Sequence, residues 1–289
     1  MSLVEHVQRR TKIIRPSGRS TDFIAPSFGH GCLLNCTYCY MKRHKPVGLS
    51  VAKNVNDILT EINSHAWFDT TVVKPNQTHE QYITYDISCN EDFALHRKYY
   101  DWENIFQFFV EHELAMGSFA TKIIPTEFLE FNPQGKIRIR FSLITPRIAD
   151  DLEPNTAAIT DRIKAVNKFI EAGYDVHLNF SPVVVYEGWL TDYAHLFAVC
   201  DALISKEHQE KVLAEVIFLT HNEAKHFYNL DNKLTGEDLL WTPEKQEQKT
   251  SQYGGRNLRY RRDLKAKYIR QWQDLHDEMI PWNKIRYIF

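Results

Sequence analysis

Three cysteines in the stretch Gly31-Cys32-Leu33-Leu34-Asn35-Cys36-Thr37-Tyr38-Cys39-Tyr40 constrain this chain more than any other feature. The spacing Cys-x3-Cys-x2-Cys puts three thiols into one short loop, and a loop that tight folds around whatever its sulfurs bind. Thiolates are the usual ligands of cubane iron–sulfur clusters, and a four-iron cluster takes four of them. Three from one loop leave one iron without a protein ligand, which suits a cluster that binds and activates a small molecule rather than a closed electron carrier. The other donor set on offer is Cys3His zinc, using His30 or His44. Structural zinc loops usually pair two Cys-x2-Cys knuckles, and the remaining cysteines, Cys89 and Cys200, form no second knuckle. The odd cysteine count and the start MSLVEHVQRRTKII, which lacks the apolar core of a secretory signal, disfavour disulfides and make a cytoplasmic setting the expectation.

A chain of 289 residues, 43% apolar and 25% charged, can bury a large core in one α/β domain with or without an appendage. No run approaches the roughly 18 apolar residues of a membrane span. The formal net charge of −2 does not mark a nucleic-acid binder as a whole, but the charge is unevenly spread. Arg9, Arg10, Lys12, Arg15 and Arg19 crowd the N-terminus, and Lys42, Arg43, His44 and Lys45 follow the cysteine loop. Arg256, Arg259, Arg261, Arg262, Lys265, Lys267 and Arg270 face one acid, Asp263, near the C-terminus. Basic side chains interleaved with Tyr253, Tyr260, Tyr268 and Trp272 can supply phosphate contacts and stacking faces together. The alternative is a solvated helix face.

Residues 1–20, with Pro16 and Gly18, read as a basic arm or short strand. Thr21–Ala25 is a candidate first strand. Helical spacing of Val51, Val55, Ile58, Leu59 and Ile62 predicts a helix over 50–68, and Gln81–Ser88 reads as a strand ending at Cys89. A helix over Trp102–Met116, a strand Phe119–Ile124 and a strand Lys136–Ile144 follow. Thr156–Ala172 is the clearest helix, with Gly173 as its stop. The strand Asp175–Phe180, a helix over about 191–205, the strand Val212–Thr220 and a short helix from Asn222 continue the alternation. It predicts a parallel sheet with its chemistry at the C-terminal strand ends, in the manner of an α/β barrel. Residues 230–257 read as loop-rich, followed by a helix over about Leu264–Met279 and a strand-like tail, IPWNKIRYIF. The expected division is an arm over 1–20, a barrel-like domain over 21–229 and a substrate-facing or barrel-closing extension over 230–289.

Cys89, at the end of a predicted strand, can donate a hydrogen atom or act as a nucleophile; its bland alternative, and the reading for Cys200, is a small buried hydrophobe. At the cysteine loop, with Tyr38 before the third cysteine, the chain resembles the radical S-adenosylmethionine (SAM) superfamily. More narrowly, from about Ala25 onward it resembles the spore photoproduct lyase family. GCLLNCTYCY, YDISCNED, FATK, RIRFSL, EAGYDVHLNFSPVVVYEGW, DYAHLF and YGG fall in that family's order. The resemblance implies a partial (β/α)6 TIM-like barrel and a lyase that reverts a thymine-dimer lesion in DNA to two thymines. It implies a [4Fe-4S] cluster on Cys32, Cys36 and Cys39, and SAM contacts from Lys122, Ser142 and Ser181. It makes Cys89 the hydrogen-atom donor and Tyr38 and Tyr40 the hydrogen relay, with Tyr253 and Arg256 toward the lesion. Flavodoxin or ferredoxin would supply the electron.

The departures lie on the substrate side: Gln252 stands where the family has an arginine, and Arg256-Asn257-Leu258 replace a glycine–lysine–tyrosine. Two other readings stay open on the sequence. One is a radical SAM enzyme of the same fold with a different nucleobase, nucleotide or protein substrate. The other is a non-catalytic iron–sulfur protein that binds nucleic acid.

Overall fold

Apolar strands alternating with amphipathic helices build an α/β fold, seen here in a computed structural model that describes residues 4–10, 13–45, 47–68, 74–250 and 255–289. Its strands are β1 (Val4–Val7), β2 (Arg15–Pro16), β3 (Phe23–Ile24), β4 (Gly29–His30), β5 (Leu49–Ala52), β6 (Ile83–Asp86) and β7 (Ala115–Thr121), then β8 (Ile137–Leu143), β9 (Asp175–Val183), β10 (Leu213–Phe218), β11 (Thr220–His221), β12 (Gln246–Thr250), β13 (Arg256–Tyr260) and β14 (Ile285–Ile288). The largest sheet has the order β14-β10-β9-β8-β7-β6-β3-β2. Its pairs β3–β6, β6–β7, β7–β8 and β10–β14 are parallel, and β2 runs antiparallel to β3. From β3 to β10 six strands stand side by side in chain order with helical chain between them, which is the (β/α)6 order expected from the sequence.

The residues gather into two compact units: Met1–Leu33, Lys45–Phe141 and Ala165–His177 in the first, and Leu34–His44, Ser142–Lys164 and Leu178–Phe289 in the second. In the first unit, the helix Trp102–Glu111 starts on Asp101, whose carboxylate accepts from the backbone N–H of Asn104. It turns Ile105, Phe106 and Phe109 inward. Phe106 meets Phe93, Phe119 and Phe128 with ring centroids 4.9–6.1 Å apart, all four fully buried. Each such ring is worth about 2 kcal/mol of burial. Gly117 of β7 passes under this helix so closely that a Cβ there would lie 2.9 Å from the Phe109 ring. In the second unit, Phe180 of β9, Phe197 of the helix Trp189–Leu203 and Trp272 of the helix Arg262–Met279 pack with centroids 5.2–5.6 Å apart.

Several boundaries depart from the sequence expectation. The helix predicted over 50–68 begins at Val55, because Leu49–Ala52 is strand β5, pairing with β1 and β4. Four apolar-rich residues carry too little periodicity to tell strand from helix. The helix predicted to reach Met116 ends at Glu111, and the strand expected at Phe119 begins at Ala115. There the ring nitrogen Nδ1 of His112 accepts from the backbone N–H groups of Leu114 and Ala115 at 3.0 and 3.1 Å, turning the chain into β7. The loop-rich reading of 230–257 is corrected: β12 and β13 form an antiparallel sheet with β11 in the order β11-β13-β12. Gly173 does end its helix, at φ 96°, and β14 supplies the strand expected of the tail.

Candidate functional site

The cysteine loop begins in the first unit with Gly31 at φ 112°, a conformation L side chains rarely adopt. A Cβ at Gly31 would also run into the carbonyl of Gly48. Its N–H donates to the carbonyl of Asn90 at 3.0 Å. This bond ties the residue before Cys32 to the residue after Cys89. The turn holding Cys89 is itself fixed at both ends. Ser88 N–H donates to Asp86 Oδ1 at 2.8 Å, Ser88 Oγ donates to the carbonyl of Glu91 at 2.9 Å, and Asn90 Nδ2 donates to Ser27 Oγ at 2.6 Å.

Asp92, three residues beyond Cys89, joins this turn to the end of β7. One oxygen accepts from Thr121 Oγ1 at 2.9 Å and from Leu95 N–H at 3.0 Å, capping the helix Phe93–His96; the other accepts from Lys122 N–H at 2.9 Å. Cys89, Cys32 and Lys122 are thus brought into one hydrogen-bonded neighbourhood of the first unit. Cys89 is half-buried. Cys200 is fully buried, and that burial pushes its thiol pKa up, as expected of a small core residue.

The second half of the loop lies in the second unit. Asn35 adopts φ 67°, a left-handed position that asparagine tolerates, and Cys39 N–H closes a turn on the carbonyl of Cys36 at 3.0 Å. Thr37 anchors it: its N–H donates to the carbonyl of Leu152 at 3.0 Å and its Oγ1 to that of Asp151 at 3.3 Å. Tyr38 donates its hydroxyl to Glu153. Burial, the Glu153 carboxylate and the neighbouring thiols Cys36 and Cys39 all raise the phenol's pKa, so it stays protonated. Glu153 pairs in turn with Arg162 at 2.8 Å, both side chains being 0% exposed, and Arg162 donates to the carbonyl of Ser142 at 2.8 Å. A continuous polar chain therefore runs from Tyr38 to the end of β8.

Ser142 is buried, its hydroxyl accepting from Asn179 Nδ2 at 3.3 Å, and Ser181 lies half-buried on β9. Tyr40 is 43% exposed, its ring edge-on to His44 at 6.0 Å. Arg256 borders a cleft of about 260 Å³ with Asn222, Gln248 and Asn257. Tyr253 lies outside the described residues. Sequence reasoning missed Glu153, Arg162 and the trio His221, His226 and Glu237. The trio's donor atoms lie within 4.8 Å of one another, both histidines bonding the same carboxylate oxygen.

The donor set fits an iron–sulfur cluster. None of the five cysteines is in a disulfide, Cys36 is buried, and Cys32 and Cys39 are half-buried on a loop held by glycine and asparagine in left-handed conformations and by the Thr37 anchor.

Known proteins with this geometry point one way. A solved spore photoproduct lyase complexed with dinucleoside spore photoproduct superposes with a TM-score of 0.88, at 20% identity, over 99% of this chain and 82% of that one. A spore photoproduct lyase variant with bound AdoMet and the same dinucleoside gives 0.86 at 20% identity over the same shares. The spore photoproduct lyase of Bacillus subtilis (strain 168) is 25% identical over 285 residues, 96% of this chain and 80% of that protein. That of Clostridium acetobutylicum is 26% identical over 188 residues, 64% of this chain and 54% of its own length. The family profile described as spore photoproduct lyase matches residues 2–289. With that match running almost end to end, and with the cysteine loop and the Cys89 turn inside it, this chain belongs to the spore photoproduct lyase family.

Proposed function

We propose that this chain repairs the spore photoproduct in DNA, returning the dimer to two thymines by radical SAM chemistry. The observation that carries this reading, beyond family membership, is the bond from Gly31 N–H to the Asn90 carbonyl, which couples the start of the thiolate loop to the Cys89 turn. Cys32, Cys36 and Cys39 would hold a [4Fe-4S] cluster, which, once reduced, would supply the one-electron cleavage of SAM to methionine and a 5′-deoxyadenosyl radical able to take hydrogen from carbon 6 of the lesion.

The chain's own residues do the rest. Lys122, Ser142 and Ser181 sit at or near the ends of the neighbouring strands β7, β8 and β9 and are assigned to SAM. Cys89 donates a hydrogen atom to the thymine radical left when the methylene bridge breaks: its S–H bond breaks, a C–H bond forms, and a thiyl radical remains. Tyr40 and Tyr38 are assigned to the return of hydrogen. Asp92, by fixing the turn around Cys89, holds the thiol in place during this step.

Arg9, Arg10 and Arg15 line a cleft of about 460 Å³ with Ser27, His30 and Asn90 in the first unit. That places guanidinium groups, which suit phosphate oxygens, beside the Cys89 turn. Residues 21–229 are assigned to the barrel-like domain, 1–20 to the arm, and 230–289, with Tyr253 and Arg256, to the substrate side. A flavodoxin or ferredoxin is assigned as reductant. Thiols without disulfides suit a cytoplasmic setting, and no helix of the described residues is long and apolar enough to cross a membrane.

The test is anaerobic reconstitution with iron and sulfide, then dithionite, SAM and an oligonucleotide carrying the lesion, with products read by mass. Both 5′-deoxyadenosine and restored thymines are expected. Cys89→Ala should keep SAM cleavage and lose clean repair. SAM cleavage without repair would reject the substrate, and an intact cluster with neither product would favour a binding protein.

A further inference from the structure

Asn229 is fully buried in the helix Glu223–Asp231 and commits both amide hydrogens. Its Nδ2 donates to the carbonyl of Thr37 at 3.1 Å, across 192 positions of sequence, and to Glu237 Oε2 at 2.5 Å. Its own Oδ1 is buried without a hydrogen-bond partner among the described residues. The orientation of the amide follows from its two partners, since a flipped group would set Oδ1 against two acceptors.

Glu237 is fixed in turn. Its Oε1 accepts from His221 Nε2 at 2.8 Å and from His226 Nδ1 at 2.5 Å, and the Trp241 indole stacks on His226 at 4.0 Å. At the other end of the chain of bonds stands Thr37, between Cys36 and Cys39, with its N–H and hydroxyl already held by Leu152 and Asp151. The Asn229 bond takes up the Thr37 carbonyl as well, so this residue between the second and third thiols is held at its N–H, its carbonyl and its hydroxyl.

We propose that Asn229 is a positioning residue for the thiolate loop, with Glu237, His221 and His226 setting its amide. The role rests on the reading of Cys36 and Cys39 as cluster ligands. The chemistry asked of Asn229 is donation, not bulk, and the two can be separated. Asn229→Asp keeps the shape and turns both donors into acceptors. Adding Glu237→Gln restores the 229–237 bond with its polarity reversed, leaves an oxygen for both histidines, and still leaves the Thr37 carbonyl without its donor.

The full-length chain is assayed without metal, by hydrogen exchange of the amides at 36–40 and by thermal unfolding, and after reconstitution by iron retention against a chelator and by the electron paramagnetic resonance line shape of the reduced cluster. Both variants should exchange about tenfold faster in the loop, as expected for loss of one buried hydrogen bond. They should also lose iron faster and change the line shape, while the double variant alone recovers part of the unfolding midpoint. Unchanged loop exchange in Asn229→Asp would overturn the proposal. So would a double variant that restores loop protection together with stability, because the role would then be structural only. Stoichiometric zinc on the unsubstituted protein, lost on His226→Ala, would make the trio a metal site and overturn its part. If the unsubstituted chain takes up no iron, the cluster reading fails, while exchange in the metal-free chain still decides whether Asn229 holds Thr37.

Discussion

Removing the charge of Glu153 should destabilise this protein far more than a typical polar substitution. Arg162 is fully buried and makes four bonds: to Glu153 Oε2, the carbonyls of Ser142 and Ala157 at 2.8 Å each, and Thr156 Oγ1 at 2.5 Å. Glu153→Gln keeps one oxygen, which can face Arg162 while its amide hydrogens turn to the Tyr38 hydroxyl, but it leaves the guanidinium without a counter-charge in a dry site. Breaking a buried pair in this way costs about 3–5 kcal/mol. For a chain of this size that is a fall of roughly 10 °C in the unfolding midpoint. Urea unfolding followed by circular dichroism measures it directly. Glu153→Leu combined with Arg162→Met should recover part of the loss, because no charge is then stranded, but not all, because the carbonyls of Ser142 and Ala157 lose their donor. A Glu153→Gln protein within about 0.5 kcal/mol of the unsubstituted one would refute the reasoning, since that is the range of ordinary surface changes.

Three further outcomes are expected. Burial opposes ionisation of Asp175, but its interactions with His177 and Arg138 outweigh it and hold the carboxyl below its usual range. Its contribution to stability is therefore present above about pH 4 and lost as pH falls through the folded value; Asp175→Asn should cost about 1.5–3 kcal/mol at pH 7 and the gap should close in acid denaturation curves. Gly31→Ala, with φ 112° and the Gly48 carbonyl in the way, should cost more than about 1 kcal/mol and reduce iron uptake measured after reconstitution. Arg10→Gln and Arg15→Gln should each flatten the dependence of log affinity on log salt by about 1 for lesion-bearing DNA, measured by fluorescence anisotropy, and leave a phosphate-free dinucleoside unaffected.

The thiolate loop was legible because its signal is local: three cysteines within eight positions, with Gly31 and Asn35 at the two places where the backbone turns left-handed. The helix stop at Gly173 was legible for the same reason. What escaped was carried by distant partners. Glu153 reaches Tyr38 across 115 positions and Asn229 reaches Thr37 across 192, and no periodicity announces either. The end of the helix at Glu111 depends on one imidazole, that of His112, accepting two backbone hydrogens, which apolar spacing alone does not reveal. The strand β12 and the start of β13 read as loop in the sequence because much of their surface is solvated and their sequences, QEQKT and RNLRY, are polar.

In the repair proposed for this chain, hydrogen passes from carbon 6 of the lesion to the adenosyl group and the dimer then reopens. The direct measurement uses a dinucleotide spore photoproduct deuterated at carbon 6, with the reconstituted protein, SAM and dithionite under anaerobic conditions, and mass analysis of both products. Deuterium in 5′-deoxyadenosine together with two restored thymines is the expected outcome. Unlabelled 5′-deoxyadenosine with the dimer intact would contradict it.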